Sequence, residues 1–145
     1  MEVQNYKNHV RYYIPHHFIF YPVVFFLIGL CIYFSTKYED QQAIWIVISI
    51  VLFLIAWLSY MLRQHYALMN QDRIVRLELR FRYYLLTKKR LELIEPRLSL
   101  NQLLALRFAS DEELPELVEE AADINLSPKE IKKSIKNWTP DYMRV

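Results

Sequence analysis

A chain of 145 residues with one glycine and one cysteine cannot build a glycine-rich phosphate loop, an intramolecular disulfide or a metal site with paired cysteines. About forty residues fall in two apolar runs, so any polar domain is small and a large enzyme pocket is not expected. The net charge of +2 hides a division: the first 62 residues carry only Glu2, Lys7, Arg11, Lys37, Glu39 and Asp40, and the other 28 charges follow.

Residues 1–17 read as a cytoplasmic or interfacial tail, with Tyr12, Tyr13, His16 and His17 in the amphipathic belt that precedes an apolar span. The first span is expected over residues 18–36. It starts too late and ends without the small-residue pattern of a cleaved signal, so it reads as uncleaved. A helix beginning at Pro22 would be ~22 Å long, short of the ~30 Å hydrocarbon core. A longer helix from about Pro15, kinked at Pro22, is therefore favoured. Cys31 lies inside this run and reads as a small lipid- or helix-facing residue.

The second span, residues 43–62, has no formal charge and carries Trp45 near one end and Trp57 and Tyr60 near the other. Between the spans Lys37 is the one basic residue, whereas Arg63, Arg73, Arg76, Arg80 and Arg82 follow the second; basic flanks favour the cytoplasm, which places both termini there. Close helix approach in lipid needs small residues. Gly29 is expected opposite Ser49, with Ser49, Ala56 and Ser59 forming the seam on the second span.

Residues 63–95 read as a basic amphipathic juxtamembrane helix that can continue the second span. Ile74, Leu77, Phe81, Tyr84 and Leu85 form one apolar stripe, and Arg73, Arg76 and Arg80 form another side. Residues 75–83 also alternate like a strand, but good helix formers and the lack of a second strand to pair with favour helix.

Residues 96–145 read as a small three-helix domain. Three helix starts are marked by a Ser with Gln or Glu three residues later: Ser99 with Gln102, Ser110 with Glu113, and Ser127 with Glu130. Pro128 suits the first position of the third helix, whereas Pro115 lies beyond the free amides of a helix starting at Ser110, so the second helix is expected to begin late or to open with a distorted turn. Leu100, Leu103, Leu104, Leu106 and Phe108, then Leu114, Leu117, Val118 and Ala121, then Ile131, Ile135 and Trp138, are the expected core faces.

The chemistry-bearing residues fall into three groups. Arg73, Arg76, Arg80, Arg82, Lys88, Lys89 and Arg90 form a basic segment suited to an anionic leaflet or a partner's carboxylates. Asp111, Glu112, Glu113, Glu116, Glu119 and Glu120 form an acidic patch, which argues against nucleic acid and for protein docking, including self-association with the basic segment. His9, His16, His17 and His65 lack a metalloprotease motif and a Cys partner, and adjacent histidines on an α-helix point in different directions, so no metal site is expected and these four stand as the alternative metal candidates.

The segments at residues 4–22 (QNYKNHVRYYIPHHFIFYP), 106–118 (LRFASDEELPELV) and 126–145 (LSPKEIKKSIKNWTPDYMRV) together resemble an uncharacterised family of small bacterial membrane proteins, a domain of unknown function. The resemblance implies a bacterial inner-membrane setting and assigns no activity. The expectation is an all-α membrane protein: a two-helix transmembrane hairpin, a long juxtamembrane helix and a small C-terminal helical bundle. No catalytic residue or cofactor is expected. Its expected work is that of a non-enzymatic accessory or scaffold, bound to the bilayer and to a protein partner or a second copy. The alternatives are a histidine-centred sensor or metal site, or an anionic-lipid or ribosome-associated factor.

Overall fold

The computed structural model describes residues 3–9 and 12–143, and no β-strand occurs among the described residues. Arg11 and the C-terminal Val145 lie outside the described residues. The chain divides into two compact units, one of residues 12–68 and one joining the N-terminal segment to residues 69–143.

In the first unit helix begins at Pro15, with π-helical bonding over Pro15–Phe20, and continues as α1 (Tyr21–Lys37). This is the longer helix favoured above. Pro22 has no N–H to donate and its ring crowds the preceding turn, and the widened π-turn lies immediately before it. A 3-10 turn at Glu39–Gln41 leads to α2 (Gln42–Met61), followed by a second π-helical stretch, Leu62–Leu68. Both helices are long and apolar enough to cross a membrane.

The covered positions of this hairpin include His17, Tyr21, Val24, Ile28, Cys31 and Ser35 on the first helix and Trp45, Ser49, Leu52, Ala56, Ser59 and Arg63 on the second. Both series step alternately by four and three, the spacing of a left-handed helix pair. Ser49, Ala56 and Ser59 lie on the seam as expected. Gly29 does not: it is exposed, and a Cβ there would meet nothing within 4 Å. It stands one residue past Ile28, about 100° round the helix, so close approach uses Cys31, Ser35 and Ala56 instead.

The second unit opens with α3 (Met69–Thr87), so the stretch with strand-like alternation is helical. Its buried side chains are Val75, Leu79 and Tyr83. The apolar stripe read from the sequence, Ile74, Leu77, Phe81, Tyr84 and Leu85, is exposed. Both sides of α3 are apolar, and the hydrogen bonds of the arginines beside the buried column select the face that turns inward. The helix also ends before residue 95: Lys88 adopts a left-handed φ of 59°, and Thr87 Oγ1 donates to the Tyr83 carbonyl at 2.8 Å and accepts from Lys89 N–H at 3.0 Å. Two 3-10 turns, Leu91–Leu93 and Glu95–Arg97, carry the chain onward, with Leu91 and Leu98 buried.

Three short helices follow, α4 (Leu100–Leu106), α5 (Leu114–Asp123) and α6 (Pro128–Ser134). Full capping boxes form at Ser99–Gln102 and Ser127–Glu130. Ser110 caps nothing: α5 starts at Leu114, where Pro115 falls among the first-turn residues whose amides need no partner. Leu103, Leu106, Leu114, Leu117, Val118, Ala121 and Ile131 close the core with Leu79 and Tyr83 of α3, while Leu100 stays exposed. Gln102 is buried yet satisfied. Its Oε1 accepts from Ser99 N–H at 2.6 Å, and its Nε2 donates to the Leu126 carbonyl at 2.7 Å and to Asn125 Oδ1 at 3.1 Å.

Trp138, expected on the third helix, lies beyond its end. It bridges to Ala109 in an antiparallel pair and stacks on Phe108 with ring centroids 4.5 Å apart, and Thr139 N–H donates to the Phe108 carbonyl. The N-terminal segment joins this corner rather than forming a loose tail. Gln4 is buried; its Nε2 donates to the Asp141 carbonyl at 3.1 Å and its Oε1 accepts from Asp141 N–H at 2.7 Å. Asn5 and Asn8 fold the intervening residues into a turn: Asn5 Oδ1 accepts from Lys7 N–H, and Asn8 Oδ1 from Asn5 N–H.

The caps give a paired expectation. Ser127→Ala should lower stability by about 1 kcal/mol through the lost cap, whereas Ser110→Ala should cost clearly less. Denaturant unfolding of the full chain in detergent, followed by circular dichroism, measures both, and equal losses would contradict the assignment.

Candidate interaction surfaces

The basic segment is largely spent inside the domain. Glu95, itself only 6% exposed, accepts from Arg76 Nε on one oxygen and from Arg80 Nε at 2.7 Å on the other. A buried carboxylate with charged donors on both oxygens is held in place, and removal of the donors would leave it uncompensated. Its hydrogen bond raises the already high pKa of Arg80. Arg82 pairs with Asp111 and donates from its two terminal nitrogens to the carbonyls of Arg107 at 3.2 Å and Ala109 at 2.6 Å, closing the turn between α4 and α5. Of the seven basic candidates, Arg73, Lys88, Lys89 and Arg90 point outward, Arg90 with a long contact to Glu92 at 3.4 Å.

Much of the acidic patch is also internal. Glu113 accepts from the backbone of Lys136 and Asn137 and from the Asn137 amide, fastening the segment after α6. Glu119 accepts from Tyr83 O–H at 3.2 Å. Glu112, Glu116 and Glu120 are exposed. The match between basic and acidic residues noted in the sequence is thus met at Arg82–Asp111 within one chain.

The histidines belong to different settings. His9 packs among Tyr6, Phe108 and Trp138, with ring centroids at 6.0, 6.0 and 5.9 Å, and its Nε2 lies 3.0 Å from Lys132 Nζ. His65 is exposed on the second π-stretch. His16 and His17 stand at the start of the hairpin with ring centroids 5.2 Å apart, and His16 Nε2 is 3.0 Å from Ser59 Oγ. Among the described residues no group of three or more His, Cys, Asp or Glu is placed to hold a metal ion.

The apolar stripe of α3 lies on the surface of the domain. Ile74 is 57% exposed, Leu77 66%, Phe81 62% and Tyr84 48%, on the side of α3 opposite Leu79 and Tyr83. Arg73 flanks this stripe on one edge and Glu78 on the other, both exposed. Helical spacing alone contained this stripe; the missing information was that a second column on the same helix packs better.

The three segments that carried the family resemblance meet physically in the second unit: Gln4 on Asp141, His9 on Phe108 and Trp138, and Glu113 on Asn137. A family model matches the chain over residues 1–145. The chain belongs to DUF6526, a family of unknown function. No curated protein and no solved structure matches it.

The Tyr83–Glu119 pair makes a pH-dependent term. Burial first, and then the adjacent Glu119 carboxylate, push the Tyr83 hydroxyl above the ordinary tyrosine range. The unfolded chain would release this proton near pH ~10 while the folded chain still holds it. The folded state then binds more protons, so this contribution is complete below pH ~10 and is lost as pH rises through the folded value. Urea unfolding between about pH 8 and 11 should show Tyr83→Phe with a flatter alkaline decline than the wild-type chain; parallel declines would remove the term.

Proposed function

We propose that this protein is a non-enzymatic scaffold of the bacterial inner membrane, anchored by its apolar hairpin with both termini cytoplasmic, whose helical domain docks a protein partner through α3. The observation that carries the reading is the exposed stripe of Ile74, Leu77, Phe81 and Tyr84, backed by a rigid core and flanked by charge. The reciprocal Gln4–Asp141 hydrogen bonds support the orientation, since residues at the two ends of the chain pack together in one polar unit. The arginines after α2 favour the cytoplasm for that unit.

A second copy of this chain fits the stripe well. Ile74, Leu77, Phe81 and Tyr84 step by three, four and three, so they occupy successive core positions of a heptad, with Ile and Leu in the order that favours parallel pairs. Arg73 then stands five residues before Glu78 on the opposite flank, the spacing that pairs them across a parallel dimer. Copies inserted in the same direction in one membrane are confined beside each other, which raises their effective concentration for a short seam.

Two experiments test this. Oxidation of membranes carrying Leu77→Cys should give a covalent dimer, whereas Leu93→Cys, 78% exposed but off the stripe, should not; absence of the dimer with another protein held at the stripe would assign the surface to a different partner. Reporter fusions at Glu39 and at the C-terminus should give periplasmic and cytoplasmic signals, and a periplasmic C-terminus would overturn the orientation.

A further inference from the structure

At the Pro15 and Leu62 end of the hairpin the two helices line an open cavity of about 570 Å³. Its walls are aromatic, with Phe25, Phe53, Trp57 and Tyr60 among them. Four polar side chains line it as well: His16, His17, Tyr21 and Arg63. Each has a buried polar atom without a hydrogen-bond partner among the described residues, namely His16 Nδ1, His17 Nε2, the Tyr21 hydroxyl and Arg63 Nε. Buried polar atoms are nearly always satisfied, so four left open around one cavity point to an occupant that supplies acceptors.

The local backbone serves this arrangement. His16 and His17 fall in one π-helical stretch and Arg63 is the second residue of the other, and π-turns inside helices recur at functional sites. A widened turn rotates less per residue than an α-turn, so the adjacent histidines, poorly placed for one site on an α-helix, both reach the same cavity. Ser59 Oγ engages His16 Nε2 at 3.0 Å and leaves Nδ1 for the cavity.

We infer that this cavity binds one anionic phospholipid. Its phosphate meets Arg63, His17 and the Tyr21 hydroxyl, and an acyl chain lies along Phe25, Phe53 and Trp57. A guanidinium offers donors and no acceptor, which selects an acceptor-rich anion, and a phosphate satisfies several donors at once. The aromatic walls have no chemistry for a free inorganic ion but suit a hydrocarbon chain. The inference rests on the membrane reading above and is independent of the α3 docking surface.

Full-length protein purified in a non-ionic detergent, mixed with phosphatidylglycerol or phosphatidylcholine and examined by native mass spectrometry, tests it. The expected result is one retained phosphatidylglycerol, preferred at least tenfold over phosphatidylcholine, with the preference lost in Arg63→Gln. Tyr21→Phe, which removes a single oxygen and no bulk, should weaken retention several-fold, and Lys129→Gln, at an exposed position outside the cavity, should leave it intact. Equal retention of the two lipids, or equal retention by wild type and both cavity variants, would overturn the inference, and displacement of the lipid by millimolar inorganic phosphate would reassign the cavity to a free anion. Release of the protein from membranes by alkaline carbonate without detergent would instead overturn the membrane reading, a result that the lipid measurements cannot mimic.

Discussion

The packing of the Leu79 and Tyr83 column of α3 into the helical domain governs the rest of that unit. Once this column is buried, Arg76 and Arg80 meet Glu95, Arg82 meets Asp111 and the carbonyls of Arg107 and Ala109, and Tyr83 O–H reaches Glu119. Each of these contacts lies on one side of the column or the other, and a rotation of α3 by a single residue would break all of them while leaving Glu95 buried without a cation. The cost of an unpaired buried carboxylate makes that alternative improbable on energetic grounds. The apolar stripe on the far side is left exposed as a consequence.

The second unit is small, and it compensates by tying its ends. A bundle whose α4 and α6 have only seven residues each gains little from intrinsic helix stability. Capping boxes, the Gln102 amide, the Glu113 clamp on residues 136–137 and the Gln4–Asp141 pair replace what length would otherwise supply. With one glycine in the chain, helix ends fall to Lys88 and Asn125, both with positive φ, and Asn125 offsets its conformational cost by receiving the Gln102 amide. The hairpin is organised differently. Its seam is a regular four–three alternation of small, aromatic and polar side chains, interrupted at one end by π-turns and an aromatic cavity.

The division between what was legible in the sequence and what was not follows the range of the forces involved. Continuous apolar runs, the helix of α1 starting at Pro15, and the Ser99 and Ser127 caps depend on residues close together in the chain, so composition and spacing determine them. The Ser110 cap shows where local pattern fails: the same spacing is present, but Pro115 moves the favourable start to Leu114. Which face of α3 is buried depends on Glu95 and on α4 and α5, and no periodicity within α3 contains that information. Gln4 and Asp141 are 137 residues apart, and His16, His17 and Arg63 come together because two helices pair, so only the tertiary structure could turn an apparent tail into a clamp and scattered polar residues into one cavity.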